Sequence, residues 1–476
     1  MEMFNLKFKN LLCIALAVLA VLMFASCDKD EEKETNGDFI SEADMSFLSH
    51  IDIEDMEGYN FRILTRSGMI KDQFVEEETG DIINDAVYRR NETVKNLFNI
   101  DITAIESSSS SADDALNTIL AGDDQYDIIF PHTRAAFSYA IQNAVVDFKS
   151  ISTIDLTKEW WSQDIVNSCS VNNHLYVLDG DISTHRLTYA FCMFFNKRIF
   201  DELGLDYPYQ TALDGDWTFD EFSRLVKQGS KDLNGDGILK GEDDQFGYYT
   251  WNWYGPINVL YSGGQRIYTN NSRGIPELTL NSTKTVEIFS KYFALTRSDD
   301  VRLYVQQKSE SDPAGSVFKQ GRAMFADMGL GNAKGMRSMN DEFGILPWPK
   351  FTKDDEYATV VNGHASLMVM PITVNDYEKS GKIIEALCAV GNRDVIPAFY
   401  DVSLKTKFAR DYESEDMIDL VKDAIIYDLG YASGGTFQSV GHTLAGMNNP
   451  DFASYYASNE TKALSDLENF IESYGK

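Results

Sequence analysis

The sequence predicts a mixed α/β protein built on open, largely parallel sheets, and three observations carry that expectation. A strand-like run, YNFRILTR, leads to DIINDAVYRRNETVKNLFNI, whose apolar residues recur every three to four positions, and then to a second strand, IDITAIE. The run YDIIF reads as a buried parallel strand after the helix ADDALNTILAG. The alternation then starts afresh at LTYAFCMFFNKRIF, a buried strand flowing into a helix. Strands alternating with helices place ligand chemistry at the carboxyl ends of the strands.

The chain opens with MEMFNLKFKN, basic at Lys7 and Lys9, followed by fifteen apolar residues from Leu11 to Ala25 and small residues before Cys27. Fifteen residues are too few to cross a bilayer, so residues 1–26 read as a secretory signal peptide. The run Phe24-Ala25-Ser26-Cys27 resembles the lipobox of bacterial lipoproteins. That resemblance implies a lipidated Cys27, carrying palmitate-type acyl chains, as the mature N-terminus. Two or more acyl chains anchor a protein stably, so the expectation is an exported cell-envelope lipoprotein tethered to the extracytoplasmic face of a membrane. Asp28 to Asp38 holds six acids and two lysines without a large apolar residue, the composition of a solvated linker, here assigned to 27–54.

Beyond Tyr59 each element has its own local signal. Ser107 to Ser111 is a polar loop that ends in an N-cap, with Asp113 and Asp114 in the first turn of the following helix and Gly122 at its end. In WTFDEFSRLVKQG, Thr218 and Glu221 have capping-box spacing. Later helices are STKTVEIFSKYFALT, DYEKSGKIIEALCAVG, SEDMIDLVKDAIIYDLG and ETKALSDLENFIESYG. Between them FGILPWP and ATVVNGHASLMVMP are short strands bounded by Pro and Gly. No tandem repeat runs through the chain.

Composition removes whole function classes. With 476 residues, 43% hydrophobic and 12% aromatic, the chain can bury a core. Its 74 acidic against 42 basic side chains give a net charge of −32, which repels polyphosphate and excludes nucleic acid as a partner. Once Cys13 leaves with the signal peptide and Cys27 is lipidated, Cys169, Cys192 and Cys388 remain. They are odd in number and widely spaced, so they are expected as buried small apolar residues rather than as a disulfide or metal framework.

The sharpest local motif is DLNGDGILKGED, which matches an EF-hand-type loop. Asp232, Asn234, Asp236, the Ile238 carbonyl and Asp243 would supply oxygens to a structural Ca2+, with Gly237 at the sharp turn. Lys240 at position nine and Asp rather than Glu at position twelve weaken the match. The other reading is an Asx-rich turn held by its own amides. The aromatic cluster Tyr248, Tyr249, Trp251, Trp253 and Tyr254 cannot face one core throughout. Flat rings flanked by amides and acids suit a sugar, which shows apolar CH faces and a rim of hydroxyls. No GxSxG, HExxH or P-loop motif occurs. Asp179 and Asp181 in VLDGDIS are weak candidates for a glycosidase pair. His132 and His364 follow strand-like runs and are the histidines best placed for a cleft.

The ordered series LNTILAGDDQYDIIF, VVDF, HLYVLDGDISTHRLTYAFCMFFNKRIFDELGLDYP, WTFDEF, SVFKQGRAMFADMG and FGILPWP resembles the family 1 extracellular solute-binding proteins of bacterial ABC importers, the maltose-binding-protein-like group. The resemblance implies a two-lobed periplasmic-binding-protein fold of type II, with an interlobe cleft and a hinge. Lobe 1 would comprise 55–187 plus 343–395, and lobe 2 would comprise 188–342 plus 396–476. It implies ligand contacts from His132, Thr133, Arg134, Asp181, Trp251, Trp253, Tyr254, Met328, Asn362, His364, Thr436 and Phe437, and no catalytic residue. It implies a monomeric receptor that delivers a solute, an oligosaccharide or sugar derivative, to ABC permease subunits. A peptide or polyamine receptor and a secreted carbohydrate-active enzyme are the competing expectations.

Overall fold

The computed structural model describes residues 46–239, 244–305, 313–404 and 413–474. The chain divides into two units, Met1–Ser49 and His50–Lys476. Of the first, a 3-10 turn over 46–48 is described; the expected signal peptide, Cys27 and most of the acidic linker lie outside the described residues. No described helix is long and apolar enough to cross a membrane.

In the second unit, one sheet is centred on β1 (Tyr59–Thr65), flanked in parallel by β2 (Ile100–Glu106) and β3 (Ile128–Phe130). Phe61, Ile63 and Leu64 are buried on both faces of β1, as a parallel sheet covered on two sides requires. Helix α1 (Ile82–Phe98) starts at Asp81, whose carboxylate accepts the Ile83 and Asn84 amides, and it buries Val87, Val94 and Phe98. At α2 (Asp114–Leu120) the expected serine cap is replaced by the reverse arrangement. Asp114 and Asp113 accept hydrogen bonds from the Ser107 and Ser109 hydroxyls and tie the loop to the helix. Helix α3 (Thr133–Ile141) springs directly from the end of β3.

The other sheet holds β4 (Phe191–Asn196), β5 (Phe246–Trp251), β8 (Val301–Tyr304), β9 (Ala323–Gly329) and β10 (Phe343–Leu346) in the order β10-β4-β9-β5-β8; β6 (Tyr268–Asn270) and β7 (Pro276–Leu278) form a separate hairpin. Every residue of β4 is buried, matching its uninterrupted apolar run. Helices α4 (Phe219–Gly229), capped by the Thr218 hydroxyl as its capping-box spacing predicts, α5 (Gly255–Ser262) and α6 (Thr283–Thr296) belong to this part of the chain. Cys169, Cys192 and Cys388 are free and buried.

The two sheets share one topology. In the second, β4 runs antiparallel to both neighbours, whereas β9, β5 and β8 are parallel. In the first, antiparallel bridges Ile129–Val369 and Leu178–Met368 insert the stretch around residue 368 between β3 and residue 178. Each sheet therefore takes its antiparallel strand from chain that has just crossed over from the other. This requirement corrects the boundary drawn at 343. β10 pairs with β4 from Phe343–Asn196 to Leu346–Met193, because the fully buried β4 needs a partner on each side. The boundary at 396 is also too sharp. Val395, between α7 (Tyr377–Val390) and α8 (Ile396–Leu404), packs with Ala86 and Val87 of α1, while Ile396 and Phe399 pack with Phe343 and Ile345, as do Ile418 and Val421 of α9 (Glu413–Asp423). The last helices are α10 (Val440–Ala445) and α11 (Phe452–Ser473). Phe452 of α11 stands 5.3 Å from Phe289 of the second lobe, and Phe470, at its far end, stands 6.3 Å from Phe137 of the first.

The crossings meet in one place. Ala190 bridges Val361, the Asn362 amide donates to the Tyr189 carbonyl at 2.9 Å, and β11 (Thr359–Val360) pairs in parallel with β12 (Ile425–Ile426). Beneath them lies a buried charge network. Arg186 pairs with Asp181, which also accepts from the Asn392 amide at 2.8 Å, and Asp179 accepts from the Tyr427 hydroxyl at 2.8 Å. A π-turn at Gly391–Val395 lets the backbone pass so close that a Cβ on Gly391 would stand 2.0 Å from the Asp181 carbonyl oxygen. Removing one partner of a buried ion pair strands the other charge, so Asp181→Ala should cost about 3–5 kcal/mol. The expected readout is a lower urea midpoint, with Asp216→Ala at the exposed Lys353 pair as a near-neutral control; equal midpoints for the two variants would refute a bracing role.

Candidate ligand cleft

The carboxyl edge of the first sheet assembles its polar groups from four loops. Arg66 directly follows β1; it is 4% exposed, and its guanidinium donates to the Ser110 carbonyl at 3.2 Å and to the His364 carbonyl. His132 caps α3 by accepting the Arg134 amide at Nδ1, 3.3 Å away, and its ring meets that of His364 edge-on at 5.7 Å. Burial, then the charges of Arg66, His364 and Arg134, push His132 down to about 4; burial and the same two guanidiniums lower His364. Both rings are therefore neutral hydrogen-bonding groups near neutral pH. Arg134 is exposed, with its Cδ 3.8 Å from where a Cβ on Gly434 would lie. Tyr431 closes this edge by accepting the Gly363 amide at its hydroxyl, 3.4 Å away. Tyr189, on the first crossing, is half-buried and lies 5.5 Å from His185.

The matching edge of the second sheet is aromatic. The sequence cluster divides as geometry demands. Tyr248 and Tyr249 are buried, while Trp251, Trp253 and Tyr254, at the carboxyl end of β5 and the start of α5, remain half-buried. Trp251 meets Tyr254 edge-on at 4.8 Å, and Tyr254 packs on Phe191 beside the first crossing at 4.8 Å. Trp253 stacks on His442 of α10 at 3.6 Å and 15°. The Trp251 indole nitrogen is buried and makes no hydrogen bond among the described residues. α5 is tied to the hinge because the Val360 amide donates to the Asn258 side chain at 3.4 Å.

Of the expected contact residues, His132, Arg134, Asn362 and His364 gather at one edge, and Trp251, Trp253 and Tyr254 at the other. Five do not join them. The Thr133 hydroxyl is spent on the Ala365 carbonyl at 2.8 Å. Asp181 is buried in the hinge network, where burial raises it, and Asp179 is buried with it, so these two carboxylates are not exposed as a pair. Met328 is fully buried because the loop after β9 packs on the first crossing, Gly331 lying against Thr188. Thr436 bonds Asp466 of α11, and Phe437 is buried, stacked on Tyr456 at 5.0 Å and 4°. Sequence reasoning passed over Arg66, Tyr189, Tyr431 and His442. Arg66 had a usable signal, since it is the last residue of the first predicted strand.

With this geometry in view, the family described as bacterial extracellular solute-binding protein matches residues 86–382, more than half of the chain. A search of curated proteins returns no match. Among solved structures, an ABC transporter solute-binding protein from Thermotoga lettingae, bound with alpha-D-tagatose, is 16% identical with TM-score 0.53 over 88% of this chain and 100% of its own. UgpB from Mycobacterium tuberculosis, in complex with glycerophosphocholine, is 13% identical with TM-score 0.54 over 87% and 99%. A sugar transporter from Rhizobium etli in an open conformation is 11% identical with TM-score 0.56 over 88% and 99%.

The calcium-like loop lies apart from these elements in sequence, and its carboxylates turn inward. Asp232 accepts the Gly235 and Gly237 amides at 2.6 and 2.7 Å, Asn234 the Asp236 amide at 2.8 Å, and Asp236 the Ile238 amide at 2.7 Å. Gly237 adopts φ +80° at the expected sharp turn. Asp243 lies outside the described residues, and no group of three metal-ligating side chains converges among those described. If the loop holds a structural Ca2+, EGTA should lower Tm by several degrees in calorimetry and added Ca2+ should restore it; an unchanged Tm leaves the Asx turns alone to hold the loop.

Proposed function

Because the chain belongs to the bacterial extracellular solute-binding protein family, we propose that it is a lipid-anchored receptor that closes on an oligosaccharide or sugar derivative and delivers it to the permease subunits of an ABC importer. ABC-transporter solute-binding proteins have the two-lobed type II fold, and the family is one of binding proteins rather than enzymes. The observation that carries the sugar reading is the trio Trp251, Trp253 and Tyr254, half-buried at the carboxyl end of β5 across the hinge from His132, Asn362 and His364. The rings offer apolar faces to CH groups, and the amide and imidazoles offer hydrogen bonds to hydroxyls.

The mechanism needs no bond chemistry. A solute touched by both edges binds the closed arrangement better than the open one, and that difference alone shifts the equilibrium. Moving it from 1:99 to 99:1 takes about 5.5 kcal/mol of differential binding, within reach of two or three desolvated rings with satisfied hydroxyl partners. The lipid at Cys27 and the acidic linker would keep the receptor within reach of its permease.

Two measurements test this reading. Trp251→Ala should weaken the best saccharide ligand by about tenfold or more in calorimetric titration, the loss of one buried aromatic contact; an unchanged affinity would remove the rings from the site. Cys27→Ser should move the protein from the membrane to the soluble fraction and abolish labelling by palmitate, and persistence in the membrane would refute the lipid anchor.

A further inference from the structure

We propose that the solute is an acidic saccharide, and that Arg66 and Arg134 bind its anionic group, a carboxylate, sulfate or phosphate, at the carboxyl edge of β1 and β3. The inference rests on the receptor reading and narrows its substrate class. In a chain of net charge −32, this edge gathers two arginines that form no ion pair among the described residues. Arg66 is almost wholly buried, donates to the Ser110 and His364 carbonyls beside the Tyr189 hydroxyl, forms no ion pair among the described residues, and leaves its Nε buried without a hydrogen bond. Arg134 is exposed and enters no ion pair among the described residues. The carboxylate that acts on Arg66, Asp72, is held by His185 at 2.5 Å.

The two histidines report the same potential, since the guanidiniums help hold both below their ordinary range. A desolvated guanidinium lacking a counter-ion is unfavourable, and a bound anion removes that cost. The planar fork of arginine matches carboxylate, sulfate and phosphate oxygens in pairs. The acidic coat does not cancel this attraction, because physiological salt screens exposed charges beyond about 8 Å. The amides of α3 add nothing further, since the Thr133 amide is taken by the Ala365 carbonyl at 3.1 Å and that of Arg134 by His132. Two unneutralised cations also disfavour a polyamine, and a bare inorganic anion would leave the tryptophans on β5 without an apolar face to cover.

The test is a titration of the detergent-solubilised mature protein with matched pairs: disaccharides carrying a uronate, a sulfate or a phosphate, each against its neutral counterpart, together with inorganic phosphate alone. One acidic member should raise Tm and bind at least about tenfold tighter than its neutral partner. Arg134→Gln should lose at least about tenfold more on the acidic than on the neutral ligand, with partial recovery in Arg134→Lys. Equal binding of neutral and acidic partners, or an Arg134→Gln variant that does not discriminate, overturns the inference and leaves the receptor reading standing. Binding of inorganic phosphate as tight as that of the sugar phosphate overturns the saccharide half. Silence with every acidic and neutral sugar overturns both.

Discussion

The crossing point of the chain governs everything else in this fold. Each sheet needs an antiparallel strand that the other half of the chain must deliver, so the chain cannot finish one lobe before starting the next. The passes converge where Ala190 bridges Val361 and β11 pairs with β12. Such an arrangement binds the halves into one folding unit, and α11 adds to it by packing on both. Arg186, set between Asp181 and Asp179, sits under that joint, and Tyr427 links the last pass to the first. Burial makes these charges costly to separate.

The joint also sets where chemistry appears. Because the sheets are joined next to their carboxyl ends, the loops after β1, β3 and β5 come to flank the same passes of chain. One edge contributes cations and imidazoles, the other aromatic rings. Neither edge alone resembles a complete site, and a ligand that needs both has a reason to favour closure. The electrostatics are local as well. Acids such as Asp81, Asp114 and Asp232 are spent on helix caps and loop ties, whereas Arg66 and Arg134 form no ion pair among the described residues.

Much of this was legible beforehand. Alternating strand and helix signals located β1, α1, β2 and β3, and the unbroken apolar run of β4 announced a strand buried on both faces. The loops bearing His132, Arg134 and Trp251 could be found because they follow strands. The same rule did not single out Arg66, because an arginine closing a strand looks no different from any surface cation until its burial is known. The buried placements of three expected contacts have one origin. Asp181, Met328 and Phe437 lie in the expected loops, but whether a side chain points into a cleft or into the joint behind it depends on chain that arrives from elsewhere: Asn392, Cys192 and Tyr456.

The sequence by itself determined the main local elements, the Thr218 cap, the burial of Cys169, Cys192 and Cys388 and the order of the strands along the chain. These follow from periodicity, propensity and composition, which act over a few residues. Only the tertiary structure decided that β10 joins β4, that α11 reaches from Phe289 to Phe137, and that an acidic protein gathers two unneutralised arginines at one edge. The strand pairing and the reach of α11 join residues more than a hundred positions apart, and the two arginines are drawn together by separate loops, so no local pattern carries information about the partner.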